Sequence, residues 1–152
     1  FGLAYFKAQE ATQLTLPSEG TVLITVSEAD RPAVLEVARQ FSRLGFKIKA
    51  TNGTQKFLAE CGIDAGSILK MHEGRPNIVD GIKNNDIQLV VNTPSGKLSK
   101  HDDSYIRKAA IKYKVPYITT IAAALAATRG IAKVREGHGR VKSLQSYHQD
   151  IR

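Results

Sequence analysis

Apolar residues along this chain fall into short runs that alternate between two periods. Residues 21–26 (T-V-L-I-T-V) are a β-rich run. Residues 31–44 follow, with Val34, Val37, Ala38, Phe41 and Leu44 at helical spacing and Gly45 placed to end the helix. A second strand is predicted over 46–49. A short helix over 55–61 turns Phe57, Leu58 and Cys61 inward and stops at Gly62. Residues 67–71 read as a weak third strand. Pro76 suits the first turn of a helix running to residue 83, with Ile78, Val79 and Ile82 inside. Residues 87–91 are apolar except for Gln88, and continuous hydrophobicity argues for a strand covered on both faces. A helix over 104–114 buries Ile106, Ala109, Ala110 and Tyr113, with Asp103 or Ser104 as its cap. A fifth strand (117–119) and an alanine-rich helix (120–128) complete the alternation. The basic tail 137–152 is expected to add an edge strand over 141–144.

Five strands alternating with helices predict an α/β fold: a three-layer doubly wound domain on a five-stranded, mainly parallel sheet. Right-handed crossovers bring the carboxyl ends of parallel strands to one edge. Residues 1–11 read as a separate short helix carrying Phe1, Ala4, Tyr5 and Ala8 on one side, joined by a polar linker (12–20). The expected division is a remnant of a preceding domain over 1–16 and the α/β domain over 17–152. Beginning at Phe1 rather than Met, the chain is expected to be a fragment or a processed product.

Composition narrows the classes. The 152 residues suffice for one domain with a real core. Twenty-two basic against 14 acidic residues give a net charge of +8, which favours anionic partners without choosing among them. A single cysteine, Cys61, excludes an intrachain disulfide framework and fits a reducing compartment. No apolar run reaches membrane-span length and no secretory signal is visible.

Polar clusters follow the predicted strands, so they are expected to converge. Thr25 and Ser27 end the first strand, ahead of Arg31, whose charge at a helix start opposes the dipole unless an anion compensates it. Thr51-Asn52-Gly53-Thr54 ends the second. There Gly53 permits positive φ and Thr54 is placed to cap a helix whose free amides favour an anion; an ordinary turn reads the same way. Lys70-Met71-His72-Glu73-Gly74-Arg75-Pro76 offers a point charge and a planar fork, with Glu73 expected to pair with Arg75 or a helix amide; a solvated charged loop is its plainer reading. Asn92-Thr93-Pro94-Ser95-Gly96 brings an amide able to read a base edge and two hydroxyls for oxyanions. Asp103 suits a ribose hydroxyl or a helix cap, and Thr119 and Thr120 suit the same rim or a partner surface. The chain lacks a dinucleotide Gly-x-Gly-x-x-Gly phrase, a Walker A loop and a Gly-x-Ser-x-Gly elbow. His72, His101, His138 and His148 show no metal-ligand spacing. These residues describe a binding pocket better than a reaction centre.

In this order the motifs resemble the C-terminal regulatory domain of the large subunit of carbamoyl phosphate synthetase, which has a methylglyoxal synthase-like fold. The phrases are F-G-x-A-x-x-K-A-Q at the start, A-T-x-G-T through residue 54, K-x-H-E-G-R from Lys70 to Arg75, and Ile106-Arg107-Lys108-Ala109, similar to the family's I-R-R-x-A. The resemblance implies an allosteric, non-catalytic module that binds UMP as inhibitor, with IMP competing, and has no cofactor of its own. It further implies a cytoplasmic ATP-dependent ligase as the whole enzyme, using Mg or Mn and feeding arginine and pyrimidine synthesis. Its partners would be the preceding synthetase domains and a glutaminase small subunit, with neither nucleic acid nor membrane. By motif, Arg31, Thr51, Thr54 and Lys70 would hold the phosphate. Thr25, Met71, Asn92, Thr93 and Asp103 would surround ribose or base, and Thr119 would lie near an ornithine site. Two departures stand out: Arg31 where the family usually has Lys, and Pro94 in the family's N-T-T-S-G phrase. The intact T-x-G-T and K-x-H-E-G-R phrases argue against the animal mitochondrial branch. The alternatives are a methylglyoxal synthase-like lyase acting on dihydroxyacetone phosphate, and a nucleic-acid binder motivated only by charge.

Overall fold

A computed structural model describes residues 16–70, 73–93 and 96–151. Its sheet has five strands: β1 (Thr21–Thr25), β2 (Lys47–Ala50), β3 (Gly66–Ser67), β4 (Leu89–Asn92) and β5 (Tyr117–Ile118). Every pairing is parallel and the order is β3-β2-β1-β4-β5. The helices are α1 (Arg31–Arg43), α2 (Asn52–Glu60), α3 (Ile78–Lys83), α4 (Gly96–Lys112) and α5 (Ile121–Ile151). A 3-10 turn, Glu28–Asp30, leads into α1.

Alternation along the strands divides the core into two layers. Val22 and Ile24 of β1, Ile48 of β2, and Leu89 and Val91 of β4 pack against Val34, Val37 and Phe41 of α1, Leu58 of α2, and Ala124, Ala127 and Ile131 of α5. Leu23 and Val90 face the other way, onto Ile78 and Ile82 of α3 and Ile106, Ala109 and Ala110 of α4. β1 and β4 are buried along their whole length, as continuous hydrophobicity predicts for a sheet covered on both faces. The three-layer doubly wound architecture is therefore as expected, with the sheet parallel throughout. Gly45 ends α1 at φ +85°, a conformation L side chains rarely adopt. From α5, Arg135 donates to the carbonyls of Leu44 and Ser18 and lies over the Phe46 ring, tying that helix to the loops at the opposite end of the sheet from the strand-end clusters. Leu16, 2% exposed, belongs to the core of the α1 layer. The helix expected over 1–11 lies outside the described residues.

Several boundaries differ from the expected ones. The third strand stops at Ser67; beyond it only Leu69 bridges to Asn77 before the chain turns away from the sheet edge. Pro76 precedes α3 rather than opening it, because Asn77 takes the N-cap. Cys61 is the half-exposed C-cap of α2 and not an inward residue. α4 begins at Gly96, since no proline or glycine interrupts residues 97–112, so neither Asp103 nor Ser104 caps it. Tyr113 is 37% exposed rather than buried. No edge strand forms over 141–144. With no proline after Pro116, α5 continues through that segment to Ile151.

Candidate functional site

The strand order reverses direction between β1 and β4: β2 and β3 lie on one side of β1, β4 and β5 on the other. A doubly wound sheet opens a crevice at such a switch point, outside the strand carboxyl ends. Here the last residues of the two strands, Thr25 and Asn92, stand opposite each other in register. Both are buried.

Hydroxyls knit this edge together. Thr25 Oγ1 lies 3.1 Å from Thr51 Oγ1. The Val26 amide donates to Thr54 Oγ1 at 3.4 Å. Thr93 N–H donates to the Thr25 carbonyl at 3.1 Å, and the Ser27 amide donates to Thr93 Oγ1, also at 3.1 Å. Thr51, not Thr54, occupies the N-cap of α2, and its side chain makes no capping hydrogen bond. Thr54 lies inside the first turn, its hydroxyl turned across to β1. The first amides of α2, which follows β2 beside β1, therefore lack the capping bond that an N-cap hydroxyl usually accepts.

Arg31 opens α1 and reaches across to this helix start. A side chain at Gly53 would collide with Arg31 Nη2 and come within 3.2 Å of its Cζ. Gly53 is helical rather than left-handed, so what it supplies is space for the guanidinium, not positive φ. Arg31 Nε is buried without a hydrogen-bond partner. A charged donor that is buried and unpaired costs free energy until an acceptor arrives.

The other wall comes from β4, α4 and β5. Asn92 Nδ2 donates to Asp103 Oδ1 at 2.9 Å and to the Tyr117 hydroxyl at 2.6 Å. Asp103 Oδ2 is buried and unpaired. Arg107 lies 5.7 Å from the centre of the Tyr117 ring. Burial is the main cause holding the Tyr117 phenol above its ordinary pKa, and the Asp103 charge adds to it, so the hydroxyl stays protonated at neutral pH.

The structure thus brings Thr25, Arg31, Thr51, Thr54, Asn92, Thr93 and Asp103 to one edge. Lys70 and Thr119 follow β3 and β5, two strands away from β1 on either side, and no hydrogen bond among the described residues ties their side chains into this network. Met71, His72, Pro94 and Ser95 lie outside the described residues. Glu73 accepts from the Lys70 amide at 2.8 Å, and Arg75 pairs with Asp80 rather than with Glu73. Sequence reasoning missed Tyr117, treating it as a strand residue. Its parity was the available signal, since residues two apart on a strand share a face and Thr119 had already been placed on the rim.

Comparison with known proteins places the chain in a family. Residues 33–119 match the family model of the MGS-like domain. The chain belongs to that family. It is 48% identical to the carbamoyl phosphate synthase large chain, C-terminal section, of Aquifex aeolicus, over 97% of this chain and 28% of that protein. It is also 48% identical to the carbamoyl phosphate synthase large chain of Archaeoglobus fulgidus, over 99% of this chain and 14% of that protein. The chain thus spans about a quarter or a seventh of the length of these curated relatives. Among solved structures, the methylglyoxal synthase of Elizabethkingia anophelis superposes with a TM-score of 0.61 at 15% identity, over 74% of this chain and 79% of that one, a likeness of fold. Among the described residues, no helix is long and apolar enough to cross a membrane, and no three acidic, His or Cys residues group to hold a metal ion.

Proposed function

We propose that this MGS-like domain is a nucleotide-sensing regulatory module of a carbamoyl phosphate synthetase large chain. It binds UMP or IMP at the β1–β4 crevice and adjusts carbamoyl phosphate synthesis for the arginine and pyrimidine pathways. The observation that carries this reading is Arg31: a buried, unpaired guanidinium nitrogen beside Gly53, over an α2 start that lacks a side-chain cap. A phosphate there would meet the guanidinium, the free helix amides and the hydroxyls of Thr51 and Thr54. Lys70 adds a point charge from the β3 side. Thr25, Asn92, Thr93 and Asp103, with Met71, surround the ribose and base. Thr119, at the end of β5, faces the preceding synthetase domains and their ornithine site. In the whole enzyme those domains use ATP with Mg or Mn, and a glutaminase small subunit supplies ammonia in the cytoplasm.

Calorimetric titration with UMP and IMP tests the reading. Saturable binding is expected, and Lys70→Ala should weaken UMP more than uridine. A folded protein that binds neither nucleotide at millimolar concentration would remove it. Release of phosphate from dihydroxyacetone phosphate would replace it with a lyase.

A further inference from the structure

The two walls of the crevice differ in hydrogen-bonding sense. On the Arg31 side the groups on offer are donors: a guanidinium, helix amides and hydroxyls. On the β4 side, Asn92 has two amide hydrogens and two acceptors already take them, Asp103 Oδ1 at 2.9 Å and the Tyr117 hydroxyl at 2.6 Å. A carboxylate only accepts, so the carboxamide cannot turn round without setting its oxygen against Asp103. With both amide hydrogens taken, the only kind of group Asn92 can offer a ligand is its Oδ1 acceptor, and beside it Asp103 Oδ2 is buried and unpaired.

We infer that Asn92 and Asp103 form an acceptor wall that selects a ligand by the N–H and O–H donors it carries, and that Tyr117 is the positioning residue that fixes its polarity. This rests on the nucleotide reading above. A base with a ring N–H and a sugar with free hydroxyls satisfies the wall. A ligand lacking one of those donors leaves a buried acceptor bare, which is costlier than losing an exposed contact. The Tyr117 hydroxyl works through Asn92: without it one amide hydrogen is freed, and the wall regains a donor that tolerates ligands of the opposite sense.

The test is calorimetric titration of the protein with four probes: UMP, 3-methyluridine 5′-monophosphate, 2′-deoxyuridine 5′-monophosphate and inorganic phosphate. The wild-type protein is expected to bind each of the two modified nucleotides about tenfold or more weakly than UMP, with phosphate competing against all three. Tyr117→Phe keeps the ring packing and should compress the UMP to 3-methyl ratio to about threefold or less while phosphate binding is unchanged. Asp103→Asn places a donor near Oδ2 and should abolish the preference for the 2′-hydroxyl; it decides the matter if Tyr117→Phe does not fold. Equal affinity of the wild type for all three nucleotides overturns the acceptor wall while leaving the nucleotide reading intact. A uniform loss in Tyr117→Phe with the ratio preserved overturns the positioning role. Binding of neither UMP nor phosphate overturns the nucleotide reading and this inference with it.

Discussion

Two short helices, α2 and α3, begin in opposite states of completion. α3 is closed at its N-terminus: the Asn77 side chain accepts from the amides of Val79 at 3.0 Å and Asp80 at 3.3 Å, and Asp80 Oδ2 accepts back from the Asn77 amide at 2.9 Å. That reciprocal box answers the free donors of a helix start from within the chain. α2 has a threonine in the same position, yet the Thr51 hydroxyl turns to Thr25 instead of to its own helix. Nearby, Arg31 adds a further unpaired donor. One helix start is finished as structure; the other keeps its donors available at the sheet's switch point. On the nucleotide reading proposed above, the difference separates a residue set kept for folding from one kept for an outside acceptor.

The strongest way to break this comparison is Arg31→Ala. If the open start serves an anion, the variant should bind UMP and inorganic phosphate roughly tenfold to a hundredfold more weakly, the range for losing a hydrogen bond to a charged group. Its denaturation midpoint without ligand should not fall, because the lost group has a buried nitrogen with no partner to lose. A variant that unfolds more easily without ligand but binds normally would assign Arg31 to structure.

Asn77→Ala is the mirror experiment. It removes the cap and the bond from Asn77 Nδ2 to the Gly74 carbonyl, and Asn77 is only 5% exposed. A stability loss of about 1–2 kcal/mol in urea denaturation is expected, with nucleotide affinity unchanged once folding is corrected for. Loss of binding with full stability would mean that α3 also belongs to the site.

Gly53→Ala sharpens the comparison with a smaller change. Alanine favours a helix over glycine by at most about 1 kcal/mol, so the fold should hold or gain slightly. The new Cβ must push the Arg31 guanidinium aside, which is feasible for the far end of a flexible side chain. Phosphate affinity should fall about fivefold, within the small cost of a displaced charged contact. Tighter binding would show that Arg31 does not hold the anion from its present place.

The same contrast explains what could be read in the sequence. Strands and helices were legible because burial on two faces leaves long apolar runs, as in Leu89, Val90 and Val91, and because Gly45 marks a helix end. The edge of the sheet holding Thr25, Thr51, Asn92 and Thr93 followed from strand ends alone. Orientation was not legible. Nothing in T-N-G-T states that Thr51 caps the helix while its hydroxyl faces another strand, or that Thr54 turns to Val26. Asp103 was read as a cap because polar residues precede the apolar positions of α4; a helix extended to Gly96 puts it mid-helix, where its carboxylate meets Asn92. The tail misled for a related reason: Val141 and Leu144 are too few to set a strand period, and the run without proline after Pro116 let the helix continue.

The smallest effect concerns how the closed helix start responds to acid. Arg75 donates to both Asp80 oxygens, at 3.2 and 2.6 Å, and these bonds are the main cause of a carboxyl pKa held below its ordinary value, with the Asn77 amide adding to it. A depressed folded pKa contributes stability that is present above the unfolded value of about 4 and is lost as pH falls through the folded value. The pair lies at the surface, so its contribution should be small and weaken at molar salt. Asp80→Asn keeps an acceptor for the Asn77 amide but loses the charge. Thermal midpoints of the wild type and this variant should therefore differ slightly at neutral pH and converge only as the pH falls through the depressed Asp80 pKa, where the wild-type carboxyl becomes neutral too. Nucleotide binding at neutral pH should be the same in both. A gap in stability that persists unchanged into acid would show that Asp80 acts on α3 through shape rather than through its charge.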